Sequence, residues 1–202
     1  MRSREVLPTD VDSVARTIAA AFAGDPVWAP ALSRTDRLRI DLEPYWRLFI
    51  EGAMRFGTAR VYDDGAATSI WLPPAAAELS DAQAQILQHF LDAFLDPPAL
   101  SALHELYDRF ETSRRSRPPH YYLSLLATNP EHRGKGVGQA LLAEDLSRWD
   151  EMGIAAYLES TNPANDHRYE RAGFRHDGGF RAVRNDVWVS AMWRPIGGSL
   201  ER

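Results

Sequence analysis

The feature that most constrains this chain is a glycine-rich turn between an uncharged apolar run and an amphipathic segment. The apolar run covers residues 121–127, and the turn covers residues 129–139. Beyond it, apolar residues recur at helical spacing, so the pattern predicts a strand, a turn and a helix. Glycines in such a turn let the backbone approach a ligand closely, and the free N–H groups of the first helical turn favour an anion. The turn therefore predicts a phosphate or pyrophosphate site.

The glycine spacing distinguishes this turn from two common phosphate-binding motifs. Gly134-x-Gly136-x-Gly138 does not match the G-x-G-x-x-G of dinucleotide-binding turns, and Lys135 followed by glycine does not fit the P-loop motif. Arg133-x-x-Gly136-x-Gly138 instead resembles the Arg/Gln-x-x-Gly-x-Gly/Ala signature of the GNAT superfamily of N-acetyltransferases. A solvated glycine-rich turn without a ligand is the alternative interpretation.

The residues that follow extend this resemblance. Residues 155–160 predict a second strand, and Thr161-Asn162-Pro163 predicts a turn. A short helix then ends at Tyr169-Glu170-Arg171-Ala172-Gly173-Phe174, with Gly173 as its C-terminal cap. This order resembles the second GNAT signature, in which a strand is followed by Asn162, then Tyr169 and then Gly-Phe. The chain is identified as a member of that superfamily. The phrases Leu-Glu-Ser-Thr-x-Pro and Tyr-Glu-Arg-x-Gly-Phe resemble the puromycin N-acetyltransferase-like branch.

Length and composition exclude several classes of protein. The 202 residues suit one domain over residues 1–202, and a formal charge of −5 gives no reason to expect nucleic acid as a partner. The absence of cysteine excludes disulfides, cysteine-ligated zinc and an acyl-cysteine intermediate, and no metal site is predicted. No apolar run reaches the ~18 residues needed to cross a membrane. The N-terminus lacks a secretory apolar region, so we expect a cytoplasmic location and no membrane partner.

The resemblance implies an α/β (α+β) fold. Its sheet is mixed and mostly antiparallel, with helices on both faces and a helical insertion between strands 3 and 4. The acetyl-coenzyme A-binding core would cover residues 120–174 and the insertion residues 75–119. The other elements begin with a predicted strand at 3–7 and a helix that has Thr9 as N-cap and Asp12 in the capping box. A second helix is predicted at 34–56, followed by a hairpin of strands 59–62 and 67–72 around Asp63-Asp64-Gly65. The final strands, at 174–178 and 187–193, are joined through Gly178-Gly179 and the polar residues 184–186, and residues 197–202 form a tail.

Two parts of this prediction remain open. The insertion either extends the core or covers the acceptor site. The aromatic residues between positions 34 and 56 either pack in the core or line the acceptor pocket. The sequence does not decide between these alternatives.

The resemblance also implies acetyl-coenzyme A as the donor and assigns residues to it. The backbone of Leu126, Ala127 and Thr128 would receive the pantetheine arm. Asn162 would hydrogen-bond that arm or hold the strand-to-helix turn, with Asn165 as the alternative for the contact. The pyrophosphate would lie on N–H groups of Arg133, Gly134, Lys135, Gly136, Val137, Gly138 and Gln139.

Acetyl transfer to an amine needs a neutral nucleophile and releases a thiolate. Tyr169 matches the general acid of the family. A tyrosine of pKa ~10 cannot protonate a thiolate of pKa ~8.5 downhill, so we expect its hydroxyl to donate a hydrogen bond to the developing charge. The alternative is that Tyr169 only packs its helix onto the sheet.

The base that removes the amine proton has two main candidates, with His104 and Glu43 as weaker ones and ordered water as a further alternative. Glu159 lies in a central apolar strand, where burial raises a carboxyl pKa, and it is either a base or the partner of an arginine. His120 has a suitable ordinary pKa but is also a candidate for packing. The expected function is acetylation of a small-molecule amine. The alternatives are a protein N-terminal or lysine acetyltransferase and a non-catalytic acyl-coenzyme A-binding module; a homodimer remains open.

Overall fold

The computed structural model describes residues 3–62, 65–115 and 117–198. Its strands form a seven-stranded sheet in the order β1-β2-β3-β4-β5-β7-β6. Strands β4 and β5 are parallel, and every other neighbouring pair in the sheet is antiparallel. The strands are β1 (Arg4–Glu5), β2 (Ala59–Tyr62), β3 (Ala67–Leu72), β4 (His120–Thr128), β5 (Ala155–Ser160), β6 (Arg175–Arg181) and β7 (Trp188–Arg194). The helices are α1 (Val11–Phe22), α2 (Trp28–Ala31), α3 (Glu43–Met54), α4 (Asp81–Phe94), α5 (Pro97–Arg115), α6 (Val137–Glu151) and α7 (Asp166–Arg171).

Apolar side chains form a core on each face of the sheet. On one face α1, α3, α4 and α5 pack against the strands, and fully buried rings such as Tyr45 and Trp46 lie in this core. On the other face α6 packs through Leu142, Leu146 and Trp149. The predicted mixed sheet with helices on both faces is confirmed.

The predicted hairpin and insertion helices are present. Strands β2 and β3 pair antiparallel, whereas Asp63 and Asp64 of the predicted turn lie outside the described residues. Helices α4 and α5 occupy the insertion between β3 and β4, and α5 begins at Pro97 because proline tolerates the first helical turn but not the interior of a helix. No helix among the described residues is long and apolar enough to cross a bilayer.

The predicted helix over residues 34–56 is wrong in its first part. Only Glu43–Met54 is helical, with Pro44 in the first turn. Upstream, the Asp36 carboxylate accepts a hydrogen bond of 3.0 Å from the Leu38 N–H, and Arg37 has a φ of 61°. This side-chain-to-backbone bonding competes with the helix. Leu38, an apolar residue of this segment, is 67% exposed.

The start of α1 differs from the prediction as well. Thr9 lies within a 3-10 turn (Pro8–Asp10) and is not the N-cap. Asp10 occupies the N-cap position of α1 without a side-chain capping bond, and its Oδ2 instead accepts the Leu7 N–H at 2.8 Å at the start of the 3-10 turn. Asp12, expected in the capping box, pairs with Arg47 of α3.

Strand β6 is longer than predicted, whereas β7 is shifted by one residue and has the predicted length. Gly178-Gly179 lies inside β6, where the register with β7 shifts between His176 and Gly179. The predicted joint at these glycines is therefore a bulge within one strand. The Gly197 N–H donates to Asp150 Oδ1 at 2.7 Å, so the ordered chain extends beyond the expected start of the tail at residue 197, and residues 199–202 lie outside the described residues.

The sheet opens between β4 and β5. Their parallel pairing ends at Leu123 and Leu158. The next residue, Ser124, has no partner in the register with β3, because Leu123 pairs with Trp71 and Leu125 with Ile70. This bulge reverses the alternation of β4, so the Ser124 side chain points toward the insertion and hydrogen-bonds Glu78. The two strands separate beyond it and leave room for a ligand.

Candidate active site

Two cavities meet where β4 and β5 separate. A cavity of about 580 Å³, the polar cleft, lies against the glycine-rich turn and the N-terminus of α6. A second cavity of about 410 Å³, the aromatic cavity, lies between α1, α3 and the inserted helices. The residues that line both cavities are Phe22, Asp25, Leu126, Asn162, Asn165 and Tyr169.

The glycine-rich turn presents backbone donors to the polar cleft. Gly134 and Gly136 have φ values of 77° and 76°, a left-handed conformation that glycine adopts without strain. Gly136 is the N-cap of α6, and no side chain caps this helix end. The first N–H groups of an α-helix have no partner within the helix. The chain thus offers a cradle of donors with positive potential, which fits a pyrophosphate.

Gly138 lies in the first turn of α6 against β4. A Cβ at this position would overlap the Thr128 Oγ1 atom. A larger residue here would need the Thr128 side chain to rotate or the helix end to shift, so glycine allows α6 to begin close to β4 without a change in either.

Most of the predicted donor-binding residues line the polar cleft, with two exceptions. Ala127 is 1% exposed in the core, so only its backbone could contact a ligand, and Lys135 is exposed outside the cleft lining. The residues that do line the cleft are Leu126, Thr128, Arg133, Gly134, Gly136, Val137, Gly138, Gln139, Asn162 and Asn165.

Several of these side chains also have local structural contacts. Arg133 donates a hydrogen bond of 3.2 Å to the Ala21 carbonyl and so connects the turn to the end of α1. The Asn162 Oδ1 accepts the Ala164 N–H at 3.1 Å, so this side chain holds the turn between β5 and α7. The Asn165 Oδ1 accepts from Arg168 at the same distance. The asparagines therefore shape the start of α7 beside the cleft.

Tyr169 lies at the junction of the two cavities. Its ring packs edge-on against Phe174, with 6.1 Å between centroids. Its hydroxyl has no hydrogen-bond partner among the described residues. Burial, and then the nearby Asp25 and Asp166 carboxylates, raise the pKa of Tyr169 to about 12. The phenol therefore stays protonated at neutral pH with its proton free for donation to a ligand.

Glu159 projects from β5 into the aromatic cavity. The Tyr157 hydroxyl donates to Oε1 at 2.7 Å, while Oε2 is buried without a hydrogen-bond partner in the part of the chain described. Burial raises the pKa of Glu159 to about 7, opposed by the nearby hydroxyls of Tyr157 and Tyr122 and by the charges of Arg114 and Arg117. Glu159 has no ion pair with either arginine within the described residues. This carboxyl can exchange a proton near neutral pH.

His120 lies away from both cavities. Its ring packs edge-on between Tyr157 and Trp193, and Nδ1 is 2.7 Å from the Pro118 carbonyl oxygen. Burial lowers the pKa of His120 further. The structure does not bring this residue to either cavity.

The structure adds residues that sequence reasoning missed. The Asp25 carboxylate accepts the N–H groups of Val27 and Trp28, each at 2.9 Å, and lines both cavities. In the sequence, Asp25 is marked only as an aspartate beside a proline after α1, a pattern that predicts a turn and not a site. Glu78 lies in the segment before α4 and faces the aromatic cavity, and no motif marks it. The aromatic lining consists of Phe22, Trp28, Tyr45, Trp46, Phe49, Tyr107, Phe110, Tyr122 and Tyr169.

Comparison with known proteins finds one matching family. Residues 99–176 match the model of the acetyltransferase (GNAT) domain. A stretch of 53 residues is 43% identical to the mycothiol acetyltransferase of Propionibacterium freudenreichii subsp. shermanii. That match covers 25% of this chain and 17% of the relative, so the chain spans a small part of that protein.

Solved structures share the fold over nearly the whole chain. A histone acetyltransferase HPA2 and related acetyltransferase from Corynebacterium glutamicum is 23% identical, with a TM-score of 0.68 and 96% of each chain covered. An agmatine N-acetyltransferase is 14% identical, with a TM-score of 0.64 over 95% of this chain and 97% of the other. The arylalkylamine N-acetyltransferase 2 of Aedes aegypti is also 14% identical, with a TM-score of 0.64 over 97% of this chain and 99% of the other. At these identities the similarity establishes the fold.

Proposed function

We propose, from the GNAT acetyltransferase domain that this chain carries, that the protein transfers the acetyl group of acetyl-coenzyme A to the amine of a small molecule. The observation that carries the proposal is the position of Tyr169, which lines both the polar cleft and the aromatic cavity. A donor in the cleft and an acceptor in the cavity would meet beside its hydroxyl.

The donor-binding role of the polar cleft rests on the turn and the opened sheet. The first N–H groups of α6 would hold the pyrophosphate, and the cationic side chains of Arg133 and Arg168 line the same cleft. The separation of β4 from β5 frees backbone groups near Leu126 for the pantetheine arm. Bound acetyl-coenzyme A would supply a thioester carbonyl and a thiol leaving group.

The amine must lose a proton before or as it attacks. We propose that Glu159 accepts this proton, directly or through water. Its pKa of about 7 leaves a large part of the carboxyl ionised at neutral pH, and its Oε2 atom has a free acceptor position. The nitrogen–carbon bond then forms as the carbon–sulfur bond breaks. The proton passes from Glu159 to solvent, and the sulfur leaves as the thiol.

Tyr169 would stabilise the negative charge that develops on sulfur. Its hydroxyl makes no hydrogen bond to another described residue. A phenol with a pKa of about 12 is a weaker acid than a thiol, so its contribution is a hydrogen bond and not a completed proton transfer. Solvent can supply the proton that the thiolate finally takes.

The shape of the cavity favours a small acceptor over a protein side chain. The inserted helices contribute Leu87, Tyr107 and Phe110 to its lining. The insertion, whose role the sequence did not decide, therefore borders this site. The resemblance to the puromycin N-acetyltransferase-like branch predicts a small acceptor too. We expect the protein to act in the cytoplasm.

The test is a thiol-release assay with acetyl-coenzyme A and a panel of amines. The panel should include alkyl and arylalkyl amines, diamines and lysine-containing peptides, with a no-amine control. We expect amine-dependent thiol release and a product heavier than the amine by one acetyl group. Acetyl-coenzyme A binding by calorimetry without turnover of any amine would favour the regulatory-module alternative. Faster turnover of peptides than of every small amine would favour the protein acetyltransferase alternative.

A further inference from the structure

The aromatic cavity holds more carboxylate than its basic lining neutralises. Glu78, Glu111 and Glu159 line it, and Arg114 is the one basic residue among the described residues of the lining. Glu111 already accepts from Arg114 at 2.5 Å and from Arg115 at 2.7 Å. Glu78 and Glu159 therefore have no arginine or lysine bound to them in the described parts of the chain.

Both of these carboxylates are placed in a poorly hydrated environment. Burial raises the pKa of Glu78, and it raises the pKa of Glu159 to about 7. Glu78 accepts a hydrogen bond from the Ser124 hydroxyl, whereas Glu159 Oε2 is buried with no partner among the described residues. A buried carboxylate is costly unless its charge is compensated, and here the nearby charges, Arg114 for both carboxylates and Arg117 for Glu159, only partly offset the burial. The cavity would therefore gain stability from a cationic ligand.

Glu78 and Glu159 lie on opposite sides of the gap in the sheet. Glu78 is held by Ser124, the bulge residue of β4, and Glu159 projects from β5 one residue beyond the last β4–β5 pair. The Tyr122 ring lies near both carboxylates, since the charges of both raise its pKa. The Arg114 guanidinium covers this ring, 4.5 Å from its centroid.

Aromatic groups surround the Glu78 side of the cavity. Tyr45 and Tyr107 join through a 2.7 Å bond between their hydroxyls, and the Glu78 charge contributes to the raised pKa of each. Rings beside a carboxylate form a favourable environment for an ammonium group, because the ring faces and the carboxylate both attract positive charge. The methylene groups of an alkyl chain would pack on the same rings.

We propose that Glu78 binds a second ammonium group of the acceptor, and that the acceptor class is therefore a diamine. The inference rests on the proposed function and narrows its substrate. One amino group transfers its proton to Glu159 and reacts, while the other stays charged against Glu78. A monoamine would leave the Glu78 carboxylate without an ammonium partner.

The experiment compares a diamine with a monoamine of equal chain length, 1,5-diaminopentane and 1-aminopentane. The natural protein should show a kcat/KM at least about tenfold higher for the diamine, the effect expected of one hydrogen-bonded charged group. Glu78→Gln keeps an oxygen for Ser124 but removes the charge. It should raise the diamine KM by about tenfold or more and leave the monoamine KM unchanged. Asp92→Asn, at an exposed acidic position of α4 that does not line the cavity, should leave the preference intact.

Direct binding gives a second readout. Calorimetry with 1,5-diaminopentane, without acetyl-coenzyme A, should show binding to the natural protein and a weaker affinity for Glu78→Gln. Ser124→Ala, which removes the hydrogen bond that holds Glu78, should cause a smaller loss of the same kind. This variant also serves if Glu78→Gln fails to fold in thermal unfolding.

The outcomes separate this inference from the proposed function. Turnover of both amines with equal kcat/KM, or an equal loss for both in Glu78→Gln, would overturn the diamine assignment and leave the acetyltransferase function intact. Diamine binding that depends on Glu78, without turnover of any amine, would support the site and reject the function. The absence of both binding and turnover of the diamine would overturn the inference.

Discussion

The Thr161 hydroxyl donates a hydrogen bond of 2.7 Å to the Asp25 carboxylate, and this bond joins the end of β5 to the loop after α1. The same carboxylate holds the N–H groups of Val27 and Trp28. Trp28 in turn stacks on Phe110 of the inserted α5, with 5.4 Å between ring centroids and 9° between planes. Asp25 thus connects the cavity junction to the aromatic lining and places a negative charge near Tyr169.

The first prediction concerns this charge. Asp25→Asn keeps an oxygen for the backbone N–H groups but removes one cause of the raised Tyr169 pKa. The pKa of Tyr169 should fall from about 12 but stay above 10, because burial is the larger cause. A carbon-13 NMR titration of labelled tyrosines measures it, with Tyr169→Phe assigning the signal. Thr161→Val keeps the charge and should leave the pKa near 12; an unchanged pKa in Asp25→Asn would contradict the argument.

The second prediction concerns the contact between α6 and β4. Gly138→Ala places a Cβ against the Thr128 Oγ1 atom, so the Thr128 side chain must rotate or the N-terminus of α6 must move away from the strand. Affinity for acetyl-coenzyme A should fall by about tenfold or more, in line with the energetic cost of overpacking.

Thr128→Ala removes the overlapping atom, so the double variant should recover much of the affinity. Calorimetry of the natural protein, the two single variants and the double variant gives the coupling energy of the two positions. Additive losses would mean that the glycine is needed for another reason than this close approach.

Local patterns gave most of the fold, because they depend on neighbouring residues. The strand, turn and helix around Gly136 and the helix break at Pro97 are of this kind, since backbone freedom and a missing N–H act within a few residues. The expected helix over residues 34–42 fails for a local reason too. There the Asp36 carboxylate bonds to the Leu38 N–H, and apolar spacing does not record that competition.

Long-range relationships in the site could not be predicted from the residues alone. Glu78 and Ser124 are 46 positions apart, and a bulge in β4 is what brings their side chains together. Asp25 and Thr161 are 136 positions apart. Composition around His120 gave no sign that its ring packs against Trp193, because that contact depends on how β7 pairs with β5. The candidate donor site was predictable only because its residues are contiguous.

The third prediction is a pH profile set by Glu159. If the ionised carboxyl accepts the amine proton, kcat/KM should fall about tenfold per unit as pH drops below about 7, since burial raises the pKa of Glu159 to that value. An acceptor amine of low pKa keeps its own ionisation out of this range. Glu159→Gln should lose this limb and lower the rate by ~10²–10⁴.

Tyr157→Phe provides the matched control for that profile. The Tyr157 hydroxyl donates to Glu159 Oε1, and this hydrogen bond lowers the pKa of Glu159. Its removal should raise that pKa and move the limb to higher pH, with the plateau rate retained. A limb that stays in place would assign the ionisation to another group.

The last prediction is that Tyr169 acts on the leaving thiolate and contributes little to binding. Phenylalanine keeps the ring and its packing on Phe174 but removes the hydroxyl donor. Tyr169→Phe should lower kcat by ~10²–10³, the usual loss for one such donor, with acetyl-coenzyme A affinity nearly unchanged. The loss should shrink with a thioester whose thiol has a lower pKa, because that thiolate needs less stabilisation. Tyr121→Phe, on a tyrosine that lines neither cavity, should keep the natural rate. If Tyr169→Phe keeps the natural kcat while chemistry limits the rate, Tyr169 is a packing residue, and the charge on sulfur must be met by backbone donors or water.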